Sequence, residues 1–395
     1  MDSGTPRFSI VLGQRASWPE MLARVRETEA LGFDGLFLVD HFFGLKDVND
    51  PTHDAYTMLA ALAPFTQSVR LGIMVCGNTY RNPALLLKQA MTVDHISGGR
   101  LDFGVGAGWL EREHEAYGFD FPPAKERVDR FAEALEIWEL LQTQDRTTYE
   151  GEYYSILDAP FEPKSLQRGR LPLLIGGSGP RMLRLTARHA DMWNTVGTPE
   201  EAAAVSRRLD EACLKEGRDP ATLVRSVSPA INLLASPQAF LDGVTAYHEA
   251  GFRDIYMPWP RVEAEVPVLR EVARDILPGL RNGNRGAHAE TGTTRSRRSV
   301  STVDGSALAE IRASLDPLPA RLLEVLTARP GDVLEGQVLR DLLGVESHAD
   351  VTRTFAALGA AFTDRGIERP WLEAQRGYSM PAEIAELMTG DNAPT

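Results

Sequence analysis

Residues 35–40 read GLFLVD, an apolar run that ends in an aspartate and is too short for a helix. A run of this kind, bounded by Gly and Asp, is typical of a strand that is buried on both faces. The same pattern recurs at FSIVLG (8–13), RLGIMVC (70–76), LDFGVGAG (101–108), LPLLIGG (171–177), DMWNTV (191–196), SVSPAINLLA (226–235) and DIYMPWP (254–260). The sequence therefore predicts eight buried strands.

Amphipathic stretches with helical spacing separate these runs, at residues 18–31, 83–97, 124–141, 180–189 and 199–216. Strands that alternate with helices form a parallel sheet covered by helices. Eight such units in about 270 residues match the usual size of a closed barrel. We therefore predict an α/β fold, a (β/α)8 TIM barrel, with a doubly wound open sheet as the alternative.

The composition of the 395 residues is that of an ordinary globular protein, with 43% hydrophobic and 25% charged residues. The formal net charge of -13 disfavours binding to nucleic acid or to an anionic membrane. The two cysteines, Cys76 and Cys213, form no C-x-x-C pair, and no Cys/His cluster has zinc spacing. With no signal peptide and no apolar run of about 20 residues, the expectation is a cytoplasmic protein without a metal site.

The local composition and apolar periodicity divide the chain into three parts. The barrel pattern fills residues 1–280, and the Gly-, Ser-, Thr- and Arg-rich residues 281–304 predict a flexible linker. Helical periodicity returns over residues 305–390 in an order that resembles a winged helix, so we expect a small, mainly α C-terminal domain. Residues 305–395 hold fourteen Asp or Glu against eight Arg and no Lys, which favours protein contact or dimerisation over nucleic-acid binding.

Catalytic groups of a (β/α)8 barrel lie at the carboxyl ends of its strands. Asp40 and His41 end the second run, and an imidazole with an ordinary pKa of about 6.5 exchanges protons near neutral pH. His41 is thus the predicted catalytic acid or base, and Asp40 either orients it or binds a cofactor. His114, just after the fourth run, is the third catalytic candidate. A purely structural role is the alternative for each imidazole.

Two glycine-rich stretches follow predicted strands. GGSG at residues 176–179 precedes a predicted helix, where bare backbone N–H groups favour an anion such as a cofactor phosphate, and a plain βα turn is the alternative. G-x-G-x-G at residues 104–108 lacks the third glycine of the dinucleotide fingerprint, because Trp109 stands in its place. These glycines provide either close packing or room for a flat ring. The long connection at residues 142–170 predicts a functional loop.

Together, these strand ends resemble the luciferase-like flavin-dependent family, and more narrowly its coenzyme F420-dependent oxidoreductase branch. The resemblance covers about residues 8–280 and is silent on the substrate. The motifs that carry it are GFDG (32–35), DHF (40–42), TYRNPA (79–84), ISGGR (96–100), GAGW (106–109), EH (113–114), YG (117–118), PP (122–123), ER (126–127), GGSG (176–179) and AD-x-WN (190–194).

The resemblance implies a flat, isoalloxazine-like ring over the barrel mouth, with its phosphate near residues 176–178. It also implies a cis peptide bond at Met74–Val75 behind the ring and an acid or base at His41. Some sugar-phosphate-oxidising members carry a tryptophan after the histidine motif and a glutamate after the fourth strand. Residues 42–44 and Trp109 stand at those places here, which argues against that reaction. The implied cofactor-binding residues are Met74, Val75, Gly77, Asn78, Gly106, Ala107, Gly108, Gly176, Gly177, Ser178 and Gly179.

Three functions fit this resemblance. The first is hydride transfer between F420 and a small organic substrate, and the second is monooxygenation by reduced FMN and O2. The third is a non-catalytic sensor that binds a flavin-type cofactor and signals through its C-terminal domain. The branch resemblance favours F420. Members of the family often pair their barrels, so a homodimer with a small-molecule substrate is expected.

Overall fold

A parallel β-sheet closes on itself at the centre of the fold. Neighbouring strands follow the order β3-β2-β1-β11-β10-β9-β8-β5, and β3 pairs with β5 through Leu71 and Leu101. This computed structural model confirms the predicted (β/α)8 barrel and excludes the open sheet. Strands β6 and β7 form a separate antiparallel hairpin between β5 and β8 in the chain. The strands are β1 Arg7–Leu12, β2 Gly35–Leu38, β3 Arg70–Ile73, β4 Cys76–Gly77, β5 Leu101–Gly106, β6 Arg146–Glu150, β7 Ser155–Pro160, β8 Leu173–Gly176, β9 Met192–Gly197, β10 Val224–Pro229 and β11 Asp254–Pro258.

The chain divides into two units, residues 1–285 and residues 286–395. Within the described residues, no helix combines the length and the apolar character that a membrane span requires. The predicted linker at 281–304 lies outside those residues, except for Arg281, which ends a helix. The structure describes residues 6–45, 47–281, 311–329, 332, 334, 336–345, 348–363, 372–374 and 377–380.

The strands of the barrel supply two hydrophobic cores because successive side chains point to opposite faces. Leu36 and Leu38 of β2 pack outward into the core between sheet and helices, whereas Phe37 points into the barrel. Gly72 on β3 leaves the space for the Phe37 ring, since a Cβ there would lie 2.3 Å from a ring carbon. The buried residues of the inner core are Phe37, Leu174, Met192 and Tyr256.

Helices cover the outside of the barrel, and some of them begin at a residue whose side chain accepts a hydrogen bond from the first turn. The Asn82 side chain accepts from the Ala84 N–H, and Thr198 and Glu201 form a capping box. The five predicted helices end within two residues of their predicted bounds. The barrel helices are Trp18–Ala30, Ala55–Leu62, Pro83–Ile96, Glu111–Tyr117, Ala124–Thr143, Pro180–His189, Pro199–Lys215, Pro237–Glu249 and Glu265–Glu271, the last continuing through the π-helical turn Val272–Ile276 into Leu277–Arg281.

Three predicted segments differ from the structure. The run at 70–76 is divided into β3 and β4 by the cis peptide bond Met74–Val75, which the family resemblance implied. The run at 226–235 is a strand only as far as Pro229, because proline has no N–H with which to continue the ladder. The connection at 142–170 contains the hairpin β6–β7, whose alternating exposed and buried residues were not recognised in the sequence.

The second unit contains three described helices and a short antiparallel hairpin. The hairpin pairs Leu372–Ala374 with Gly377–Ser379. Leucines and phenylalanines at helical spacing form its core, among them Leu322, Leu339 and Phe362. A winged-helix-like domain stays a prediction. The helices are Pro317–Thr327, Gly336–Leu343 and His348–Thr363.

Candidate active site

A cavity of about 440 Å³ opens at the carboxyl ends of the barrel strands. His114, Asn78 and Gly179 are the predicted site residues that do not line it. The wall also includes residues that the sequence analysis did not select as site residues: Cys76, Tyr80, Trp109, Met182, Asn194, Thr195, Val196 and Ser228. The predicted residues that line it are Asp40, His41, Met74, Val75, Gly77, Gly106, Ala107, Gly108, Gly176, Gly177 and Ser178.

Gly106 and Gly176, which we call the glycine floor, leave one part of the cavity free of side chains. A Cβ at Gly106 would lie 3.0 Å from a Val75 methyl group, and a Cβ at Gly176 would lie 2.9 Å from the same methyl group. The absence of these two side chains lets Val75, next to the cis bond, fill the space between the strand ends. The two glycines therefore allow the close packing of Val75, whereas room for a flat ring at residues 104–108 stays a prediction.

His41 is held by a buried carboxylate. Its Nδ1 lies 2.9 Å from Oε2 of Glu113, which also accepts from the Tyr80 hydroxyl at 2.8 Å. The backbone N–H of Phe42 donates to the other oxygen at 2.8 Å. Burial raises the pKa of Glu113, but the hydrogen bonds from His41, the Phe42 N–H and Tyr80 outweigh it and lower the pKa below its ordinary value. Burial and the bond to Glu113 raise the pKa of Tyr80, which stays a donor.

This network fixes the role of each ring nitrogen of His41. An ionised carboxylate only accepts hydrogen bonds, so Nδ1 carries a proton and donates a hydrogen bond to Glu113. Nε2 has no hydrogen-bond partner within the described part of the chain, and the imidazole lines the cavity. The Trp109 ring stands edge-on to it at 5.8 Å between centroids. Nε2 is thus free to accept or donate a proton at the cavity surface.

Asp40 lines the cavity but is already fully engaged by its neighbours. Arg81 forms a bidentate pair with its carboxylate at 2.7 and 2.9 Å, and the Gly77 N–H donates to it at 3.1 Å. Arg81 also bonds to Asp54 at 3.0 Å. Asp40 makes no contact with His41 in these hydrogen bonds, so its geometry is that of an anchor for β4 and the loop after it.

The turn at residues 176–178 faces the same cavity as His41. Buried Trp193 donates through its indole N–H to the Gly177 carbonyl at 2.8 Å and so fixes the turn. Arg208 donates to the Ser178 carbonyl at 3.3 Å, which brings a cation beside it. Arg181 points elsewhere, to Asp129 and the Lys125 carbonyl. The helix Pro180–His189 starts at this turn without a side-chain cap, leaving its first N–H groups for another acceptor.

Residues 4–315 match the luciferase-like monooxygenase family. The chain belongs to this family. A relative from Kineococcus radiotolerans, an F420-dependent glucose-6-phosphate dehydrogenase, is 31% identical over 263 residues, which make up 64% of this chain and 77% of that enzyme. A relative of the same name from Microbacterium testaceum is 33% identical over 194 residues, 48% of this chain and 57% of that enzyme. The chain therefore spans little more than half the length of the latter relative.

Solved structures of other proteins share the barrel. An F420-dependent secondary alcohol dehydrogenase in complex with an F420-acetone adduct superposes with a TM-score of 0.61 at 18% identity, over 68% of this chain and 98% of that one. A monooxygenase from Streptomyces bottropensis gives a TM-score of 0.56 at 20% identity, over 69% of this chain and 99% of that one. Identities this low establish the common fold. Family membership makes the chain an oxidoreductase of the luciferase-like type.

Within this luciferase-like site, His114 does not reach the cavity. Its Nδ1 lies 2.8 Å from the Leu110 carbonyl, its Nε2 lies 2.7 Å from the Thr79 hydroxyl, and its ring stacks on Tyr80 at 4.6 Å. Both nitrogens of this buried ring are occupied, so it supports Tyr80. Its neighbour Glu113, missed as a site residue, contacts His41 instead. Successive helical residues point about 100° apart, so only one of the two faces His41.

Asn78 and Gly179 lie at the edge of the site. The buried Asn78 side chain donates to the Tyr154 hydroxyl at 3.2 Å, and its own oxygen has no partner within the described residues. This contact joins the strand end to the loop of the hairpin β6–β7. Gly179 has nothing within 4 Å of where a Cβ would stand. The described residues contain no group of three or more His, Cys, Asp or Glu side chains arranged for a metal ion.

Proposed function

We propose that this chain is an F420-dependent oxidoreductase that transfers a hydride between the deazaflavin and a small organic substrate. The observation that carries the proposal is that His41 and the turn at 176–178 line one cavity. The uncapped start of the helix Pro180–His189, directly after the turn, offers backbone N–H groups to an anionic arm, and His41 offers a proton acceptor or donor at Nε2. F420 is preferred to FMN because the relatives named above are F420-dependent enzymes.

The residues present fit a flat cofactor with an anionic arm. The glycine floor presents backbone and the Val75 side chain where larger residues would fill the cavity. The uncapped helix start at Pro180 and the guanidinium of Arg208 both favour negative charge at the turn. When bound, F420 supplies a ring carbon that accepts or donates hydride and reacts poorly with O2.

The chain's own residues handle the proton and the geometry. As the carbinol carbon of an alcohol loses hydride, His41 takes the hydroxyl proton at Nε2; in the reverse direction it returns that proton to the carbonyl oxygen. Glu113 keeps Nδ1–H in place and stabilises the imidazolium that forms. Tyr80 and the Phe42 N–H hold Glu113, so the imidazole keeps one orientation. Trp109 limits the access of water to the ring.

Titration of the purified protein with F420 and, separately, with FMN tests the proposal through the absorbance and fluorescence of each cofactor. We expect saturable, tight F420 binding and no comparable affinity for FMN. Tight FMN binding without F420 binding, together with O2 consumption by the loaded protein, would support the monooxygenase instead and contradict the proposal.

A matched pair of arginine variants locates the anionic arm. Arg208→Gln should weaken F420 binding by about threefold, because an exposed cation contributes modestly to binding an anion. Arg181→Gln should leave it unchanged, since that guanidinium is paired with Asp129. An equal loss in both variants would mean that only the net charge of this face matters, and would argue against a specific arm at the turn.

A further inference from the structure

We infer that the substrate of this site is a neutral, largely apolar alcohol or carbonyl compound, and not a phosphate ester. The inference rests on the proposed function, because it concerns the part of the cavity beside a bound cofactor ring. It is carried by the charges and the apolar surface around His41.

The described wall of the cavity contains no lysine or arginine. The charge of Asp40 is compensated by the bidentate pair with Arg81, and the hydroxyl proton of Tyr80 is donated to Glu113. A phosphate ester beside His41 would give up its water without gaining a cation, which is costly in a partly enclosed site. A neutral hydroxyl or carbonyl pays no such penalty and needs one partner, which Nε2 supplies.

Arg81, which binds Asp40, and Arg112, which precedes Glu113 in the chain, already have hydrogen-bond partners. Arg81 divides its donors between Asp40 and Asp54. Arg112, on the helix that carries Glu113, donates to the carbonyls of Gly44 and Leu45 at 3.3 and 2.7 Å and lies over the Phe43 ring. Turning either guanidinium toward a substrate phosphate would break these contacts, so neither is a ready anion site.

The anion-favouring end of the cavity is the turn at 176–178 with Arg208 beside it. This turn follows β8, whereas His41 follows β2, three places away around the ring of eight strands. The two groups therefore stand well apart across the mouth. In the proposed function the anionic arm of the cofactor occupies the turn, which leaves the His41 side for a group without charge.

Apolar side chains are exposed on the mouth of the cavity. Trp109, edge-on to His41, is 64% exposed, and Val196, at the end of β9, is 69% exposed. Exposed apolar groups that converge on a cavity gain free energy when an apolar ligand covers them. The glucose 6-phosphate in the names of the relatives is therefore not expected as the substrate here.

The test titrates F420-loaded protein with cyclohexanol, cyclohexyl phosphate, glucose and glucose 6-phosphate, and follows tryptophan fluorescence. Cyclohexanol and its phosphate differ in charge, whereas cyclohexanol and glucose differ in apolar surface. We expect cyclohexanol to bind at least about tenfold more tightly than each of the other three. Trp109→Phe assigns the signal, because it should remove most of the fluorescence change while keeping an apolar ring at the mouth.

A second variant reverses the charge argument. Val196→Arg places a guanidinium on the exposed mouth and should raise the affinity for cyclohexyl phosphate relative to cyclohexanol. In the unaltered protein, equal or tighter binding of either phosphate ester overturns the inference, and so does a failure of cyclohexanol to bind. Failure of F420 itself to bind, which is measured first, overturns the proposed function and the inference together. F420 binding with a preference for phosphate overturns the inference alone.

Discussion

At the amino ends of the barrel strands, Arg7 pairs with Asp254 and Arg70 with Asp102, whereas at the carboxyl ends one ring nitrogen of His41 has no hydrogen-bond partner among the residues that the structure describes. We call the amino ends of the strands the lower end of the barrel and the carboxyl ends its upper end. The charged side chains at the lower end surround Tyr256, whose pKa is raised by its complete burial. Polar groups at the lower end are thus paired with one another across neighbouring strands. At the upper end the glycine floor and the imidazole face an open cavity.

The contrast follows the division of labour of the (β/α)8 barrel, in which the amino face stabilises and the carboxyl face reacts. Buried charges are tolerated at the lower end because each carboxylate meets a fork of two guanidinium nitrogens. At the upper end the network His41–Glu113–Tyr80 is also buried, but it terminates at Nε2, an atom with unused capacity. The network of the candidate site thus differs from the ion pairs at the other end in presenting an available ring nitrogen to the cavity.

The largest effect is expected from His41→Ala, which removes the proton acceptor at the upper end. The kcat with F420 should fall about 10³-fold, the usual contribution of a positioned acid or base, and the melting temperature should also fall because buried Glu113 loses a hydrogen-bond donor. Steady-state kinetics and thermal unfolding measure the two. His189→Ala is the control and should keep full activity, because His189 ends the helix Pro180–His189 and the turn at 176–178 lies at the other end of that helix. A variant at His41 with undiminished kcat would show that His41 is not the proton acceptor of the reaction.

The second effect concerns the lower end. Arg70→Met leaves Asp102 buried without its cation and should lower the free energy of unfolding by about 3 kcal/mol while F420 affinity is unchanged. Denaturant unfolding measures the first and fluorescence titration the second. Arg146→Met removes an exposed ion pair on the hairpin β6–β7 and should cost less than about 1 kcal/mol. If Arg70→Met abolished cofactor binding in the folded protein, stability at the lower end and cofactor binding at the upper end would not be independent of each other.

The glycine floor provides the next test. In Gly176→Ala the new methyl group meets the Val75 side chain at 2.9 Å, so the floor has to shift, and F420 binding should weaken by about tenfold. Gly179→Ala is the matched control, because its Cβ would stand in open space and its backbone is in an ordinary extended conformation. Equal affinities of the two variants would show that cofactor binding does not depend on a side-chain-free floor.

The smallest effect is a change of stability with pH. The pKa of Glu113 is lowered in the folded protein from its ordinary value of 4.5, so its ionised form stabilises the fold above that pH. This stabilisation is lost as the pH falls through the lowered value. The difference in unfolding free energy between the unaltered protein and Glu113→Gln should therefore shrink on acidification. Glu115→Gln, on the exposed side of the same helix, should show no such trend.

Much of the site could be located from the sequence because a barrel places every strand end at one face. Knowing where the apolar runs end was enough to predict His41 and the turn at 176–178 as neighbours, whereas Val75 was predicted from the family resemblance. The choice between Glu113 and His114 was not accessible in this way. A histidine beside an aromatic-rich stretch is the more suggestive residue, yet the direction of a helix around its own axis is set by packing against distant segments.

Asp40 illustrates the same limit. Its position beside His41 suggested that it orients the imidazole, but it bonds instead to Arg81, 41 residues away. The partner of His41 is Glu113, 72 residues away. Adjacent residues at a strand end point in different directions, so sequence proximity says little about which of them share a hydrogen bond.

The eight buried runs, most of the helices between them and the glycines at the strand ends could be predicted from the amino-acid sequence alone. Those properties follow from the local periodicity of apolar residues and from the backbone freedom of glycine. The folded chain was needed to show which carboxylate holds His41, which guanidinium lies beside the turn and which imidazole has only structural contacts. Hydrogen-bond partners are chosen by the closure of the barrel, and that closure joins segments that are far apart along the chain.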